Sequence, residues 1–119
     1  MILGPQGEDI AAGFLTDRGF RIVARNYRCP LGEIDIVAVD GDTLVFVEVK
    51  SRRSAEAAEP EVSVHYHKRR RITRAARYFA SHKRVHDQPL RFDVVAIVLP
   101  DHGQPEIEHF EDAFGPTPR

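Results

Sequence analysis

The chain has 119 residues, 42% hydrophobic and 29% charged, with a net charge of −1 and a single cysteine. This is globular rather than disordered composition, and the length suits one domain, residues 1–119, around one core. It excludes an internal disulfide. The sequence also shows no bilayer-length apolar run and no signal-peptide pattern, so a cytoplasmic protein without a membrane partner is expected. Charge is unevenly spread. From Val62 to His86 there is no Asp or Glu, while Lys68, Arg69, Arg70, Arg71, Arg74, Arg77, Lys83 and Arg84 all fall there.

Residues 1–6 and 115–119 are expected to be flexible, leaving a core of about 7–110. From Gly7 to about Arg18, Ile10, Ala11, Phe14 and Leu15 follow helical spacing, and Gly19 is a stop signal. Glu8 lies at the edge of that apolar stripe, where an acid in the first turn would suit the helix dipole. Phe20 to Tyr27 alternates as a strand. Cys29-Pro30-Leu31-Gly32 then turns the chain, and Cys29 reads as a plain thiol.

Gly32 to Lys50 reads as two strands joined by a tight turn at Asp40-Gly41-Asp42. Alternation puts Glu33, Asp35, Val37 and Val39 on one face of the first strand, and Leu44, Phe46, Glu48 and Lys50 on one face of the second. A turn centred on Asp40-Gly41 sets Glu33 opposite Glu48. One centred on Gly41-Asp42 sets Asp35 opposite Glu48 and Glu33 opposite Lys50. A three-residue loop would separate the four charges.

After Arg52 and Arg53 comes a polar loop to about Pro60. A helix follows from Ser63 or Val64 to His82, with Lys68, Ile72, Ala75, Ala76 and Phe79 along one face. Arg91 to Leu99 is a nearly continuous apolar run, as in an interior strand, with Asp93 expected to be paired structurally. Glu106 to Phe110 adds a short edge strand. The order α-β-β-β-α-β, with that last strand, gives an α/β fold with a mixed central sheet flanked by helices.

Carboxylates gathered on one strand face need a counter-charge, since two of them about 4 Å apart repel by about 4 kcal/mol at an effective dielectric of 20. A divalent cation held by Asp35 and Glu48 is one solution, and oxygen ligands favour Mg²⁺ or Mn²⁺. Lys50 could then orient an attacking water. Cross-strand ion pairs are the other solution, and spacing alone leaves both open. Lys68, Arg69, Arg70, Arg71, Arg74 and Arg77, with Arg52 and Arg53, would supply contacts to nucleic-acid phosphates, with Tyr66 and Tyr78 available for stacking. His82 and His86 have the spacing of a zinc pair without a third ligand.

Asp35 with Glu48-Val49-Lys50 resembles the Asp…Glu-x-Lys signature of the PD-(D/E)XK nucleases. Gly7-Glu8, Gly32-Glu33-Ile34-Asp35, Phe46-Val47-Glu48-Val49-Lys50 and Val64 four residues before Lys68 resemble, in that order, the YraN family of bacterial proteins read as nucleases. Ile34 precedes Asp35 where the wider superfamily has proline, and Tyr66 stands where the family often has one. The resemblance implies a restriction-endonuclease-like αβββαβ core, a metal at Asp35 and Glu48 joined by Glu8, and Lys50 as the third catalytic position, with Glu33 tuning the site. The expectation is a Mg²⁺- or Mn²⁺-dependent nuclease cutting DNA, branched or structured DNA included, acting as a homodimer by analogy with resolvases. A non-catalytic nucleic-acid-binding module with a vestigial site, or an RNA-directed nuclease, are the alternatives.

Overall fold

The hairpin register follows from one glycine. Gly41 takes a left-handed conformation, φ 64°, which costs glycine least of all residues. The strands beside it pair from Asp40↔Thr43 through Val39↔Leu44 and Val37↔Phe46 to Ile36↔Val47. The turn therefore holds Gly41 and Asp42. Continued by one residue, this register sets Asp35 opposite Glu48.

The computed structural model describes residues 4–53, 64–83 and 87–118. The elements in chain order are α1 (Gly4–Asp17), β1 (Arg21–Cys29), β2 (Gly32–Asp40), β3 (Thr43–Arg53), α2 (Tyr66–His82), β4 (Leu90–Leu99) and β5 (Glu106–Phe114). The strands lie side by side in the order β1-β2-β3-β4-β5. All neighbours are antiparallel except β3 and β4, which run parallel. A parallel pair needs a crossover, and α2 lies within it. The result is a mixed sheet with two helices, compatible with an αβββαβ restriction-endonuclease-like core.

Period-two alternation divides the core between the two sheet faces. Val37, Leu44, Phe46, Phe92 and Val94 pack with Ile72, Ala75, Ala76 and Phe79 of α2. Ile36, Ala38, Val45, Val47, Val95 and Ile97 pack with Ala11 and Leu15 of α1. The helices thus cover opposite faces, and each buried aliphatic side chain is worth about 1.5–3 kcal/mol of transfer free energy.

Several boundaries differ from expectation. α1 begins at Gly4, not Gly7, because Pro5 is tolerated in a first turn, where its missing N–H has no partner to lose. Glu8 is therefore beyond the first turn, and the helix-dipole explanation for it fails. β3 runs on through Arg53, held by pairing of Arg52 and Arg53 with Val98 and Leu99. β5 extends to Phe114, with Phe92↔Phe114 closing the ladder past a register shift. Where a flexible tail was expected, Thr117 is buried: its N–H donates to Thr73 Oγ1 at 3.2 Å, and its carbonyl accepts from Arg77 at 3.2 Å. The polar loop expected after Arg53, to about Pro60, and His86 lie outside the described residues. Among the described residues no helix is long and apolar enough to cross a membrane.

Candidate functional site

β2 loses its regular pairing at Asp35. On one side the ladder to β3 ends at Ile36↔Val47. On the other, the ladder to β1 passes from Arg25↔Ile36 to Tyr27↔Ile34, and Asn26 between them has φ 51°. Ile34 packs into the α2-side cluster while Ile36 packs into the α1-side cluster, although strict alternation would put both on one face. The strand is locally rotated there. Asp35 compensates with its side chain: Oδ2 accepts the Val49 N–H at 2.8 Å, tying β2 to β3 where the ladder has stopped.

Glu48 follows Val47 on the face of Phe46 and is only 6% exposed. Its carboxylate is paired with Lys68 Nζ, reaching across from the first turns of α2. Asp35 and Glu48 are close enough to share a hydrogen bond. Burial, the Glu48 charge, that shared bond and the more distant Glu8 raise Asp35 to about 7, with the Val49 N–H opposing them. Burial and the neighbouring negative charge together favour the protonated form of Asp35.

Glu8 reaches the same end of the sheet from the opposite face. Gly7 makes this approach close: a Cβ at that position would lie 2.7 Å from Ser51 Oγ. α1 therefore rests almost directly on β3 and carries Glu8 inward. Glu8 is buried, and its Oε1 has no hydrogen-bond partner among the described residues. Burial pushes its pKa up, while Arg25 and the Asn26 side chain pull it back.

The other expected residues divide. Glu33 is exposed and pairs with Arg28 at 3.3 Å, so it takes the ion-pair role rather than joining the carboxylate pair. Lys50 is half-buried in β3 and makes no ion pair among the described residues. Lys68, expected only to meet phosphate, instead contacts Glu48. The sequence carried a signal for this, since Lys68 heads an otherwise apolar stripe that faces the sheet. Arg70, Arg71 and Arg74 remain along α2, Arg69 lies over the Tyr66 ring at 5.9 Å, and Arg77 holds the tail. Tyr78 stacks on His82 at 4.3 Å. Asp93, wholly buried, is structural: Arg91, His109 Nε2 and the Asp112 N–H donate to it at 2.8–3.0 Å. Burial alone would raise its pKa, but those donors hold it below the usual carboxylate range.

Among the described residues, no three His, Cys, Asp or Glu side chains form a group that could hold a metal ion. The carboxylates that meet are a pair. Asp35 and Glu48 still suit a hard cation: they offer oxygen donors only and lie close enough to share a hydrogen bond. Glu8 adds a buried, unpartnered oxygen. Two protein carboxylates with water filling the remaining positions is a normal arrangement for such an ion.

A profile of the family described as "Uncharacterised protein family UPF0102" matches residues 7–97. The chain belongs to this family, the YraN family whose motifs it carries. It is 53% identical over 112 residues to a UPF0102 protein of Geotalea uraniireducens, covering 94% of this chain and 88% of that one. A UPF0102 protein of Geobacter sulfurreducens is 49% identical over 113 residues, covering 95% and 88%. One from Rhodococcus opacus is 46% identical over 114 residues, covering 96% and 97%. The UPF0102 match takes in Glu8, Asp35, Glu48, Lys50 and Lys68 together.

Proposed function

We propose that this UPF0102 chain is a metal-dependent nuclease that hydrolyses phosphodiester bonds in DNA, with branched or structured DNA within its range. The observation that carries this reading is the pairing of half-buried Asp35 with buried Glu48 where β2 leaves its ladder, with Asp35 raised in pKa by burial and then by the Glu48 charge. Asp35 and Glu48 would hold Mg²⁺ or Mn²⁺, with the unpartnered Oε1 of Glu8 as a further oxygen donor. When bound, the ion supplies Lewis-acid polarisation of a phosphate oxygen and a lowered pKa for water. Lys50, two residues along β3 from Glu48, holds the attacking water and balances charge as the P–O bond breaks. Lys68, paired with Glu48, would bind a non-bridging phosphate oxygen. Glu33 keeps Arg28 near the same end of the sheet. Arg52, Arg53, Arg69, Arg70, Arg71, Arg74 and Arg77 extend positive charge away from the pair along β3 and α2.

Purified protein with Mg²⁺ or Mn²⁺ is expected to cut duplex, single-stranded or four-way-junction DNA, and Asp35→Ala to lower the rate by at least about a hundredfold. No cleavage of any of these, or equal cleavage by Asp35→Ala, would sink the proposal.

One observation favours a second reading. The Lys68–Glu48 ion pair already neutralises one carboxylate, as in a nucleic-acid-binding module whose site is vestigial. That reading predicts salt-dependent DNA binding with no calorimetric response to Mg²⁺. An RNA target is checked with oligonucleotides of the same sequence.

A further inference from the structure

Two cavities adjoin along the outer side of α2, and both include Leu31. One, of about 520 Å³, is lined by Arg28, Leu31, Glu33, Lys68, Arg71 and neighbouring groups. The next, of about 450 Å³, is lined by Leu31, Arg74, Arg77, Tyr78 and Ser81. Together they make a groove between the β1–β2 turn and α2. Lys68, at one end, is the residue paired with Glu48, so the groove begins at the carboxylate pair. From Lys68 to Tyr78 is about 15 Å along the helix.

The lining is two-sided in character. Leu31 is 45% exposed at the tip of its turn, an unusual place for a large aliphatic side chain. Tyr78 lies nearly parallel to His82, at 19°, giving the far end a stacked aromatic platform. Arg71 and Arg74 are exposed and have no acidic partner among the described residues. Duplex DNA shows a groove of this kind its phosphates, but keeps its base faces stacked inside. An unpaired strand offers both charged phosphates and bare base faces, and proteins that bind single strands combine cations with aromatic or apolar platforms in this way.

We propose that this groove binds an unpaired DNA strand leading from the cleavage point, with Leu31 and Tyr78 against its bases and Arg71 and Arg74 on its phosphates. The preferred substrate is then a junction between duplex and single strand, such as a fork or flap. This rests on the nuclease reading for its orientation, but the strand binding can be tested without cleavage.

The test is fluorescence anisotropy in EDTA with labelled blunt duplex and with the same duplex bearing an unpaired arm. The wild-type chain is expected to bind the forked substrate about tenfold tighter, in line with one or two stacked bases. In Leu31→Ser/Tyr78→Ala that ratio falls toward one. Leu31→Ser alone, changing an exposed side chain, lowers it part of the way and guards against misfolding of the double variant. Equal binding of both substrates by the wild-type chain, or an unchanged ratio in both variants, overturns the groove. If the ratio is one yet Mg²⁺-dependent cleavage disappears in Asp35→Ala, only the groove fails. If the ratio is large yet no cleavage occurs with metal, the groove stands and the nuclease reading fails.

Discussion

Asp35 carries the most distinctive charge in the molecule, because its native pKa is about 7 against an ordinary 3.8. The folded chain keeps a proton that the unfolded chain has released between those values. Stability therefore falls as pH rises through that window and is unaffected by this group below it. The unfolding midpoint of the metal-free protein should drop between about pH 4 and about pH 7, and Asp35→Asn should flatten that slope. A slope unchanged in Asp35→Asn would mean that burial there is less costly than argued. Lys68 gives a second test at this scale. A double-mutant cycle of Lys68→Ala with Glu48→Gln should show coupling of about 0.5–3 kcal/mol. The lower end applies, because Lys68 is 49% exposed and water screens the pair. Asp35 and Glu48 were legible in the sequence because strand alternation puts them on one face. The same rule placed Glu33 beside them; in the structure it is exposed and pairs with Arg28, an attraction that alternation does not register.

The elements decide whether these residues meet. α1 can bring Glu8 inward only because Gly7 lets it lie against Ser51. Gly7→Ala should lift α1 and lower both stability and metal-dependent cleavage, and Ser51→Gly in the same chain should restore much of each by removing the obstructing side chain. Failure of that rescue would show that the close approach is not what positions Glu8. At β4, Asp93 has 0% exposure and three donors, so Asp93→Ala leaves the Arg91 charge without its main partner. Removing one member of a buried pair costs about 3–5 kcal/mol, measurable as a lower denaturant midpoint. Hairpin, helices and the β4 strand were readable from periodicity, glycine and apolar runs. The full length of β5 and the docking of Thr117 were not, because both depend on partners distant in the chain: Phe92 for one and Thr73 for the other.

Across the whole molecule, a net charge of −1 conceals a basic helix beside the Asp35–Glu48 acidic pair. Binding to DNA should accordingly weaken with salt, with a log–log slope of about −3 to −5 if four or five phosphates are neutralised. Arg71→Ala should reduce the slope by about one, and a slope near zero would remove the electrostatic account of α2. The order of strands was readable in outline. What alternation could not choose was whether the charges would be neutralised by one another or by a cation, because that depends on which carboxylates are left without partners after folding. The most direct measurement is calorimetric titration of Mn²⁺ into the wild-type chain at about pH 6.5 in two buffers of different ionisation enthalpy. One ion should bind, releasing up to one proton from the Asp35–Glu48 pair, and Asp35→Ala should abolish it. Absence of binding, or binding unchanged in Asp35→Ala, would contradict the metal site.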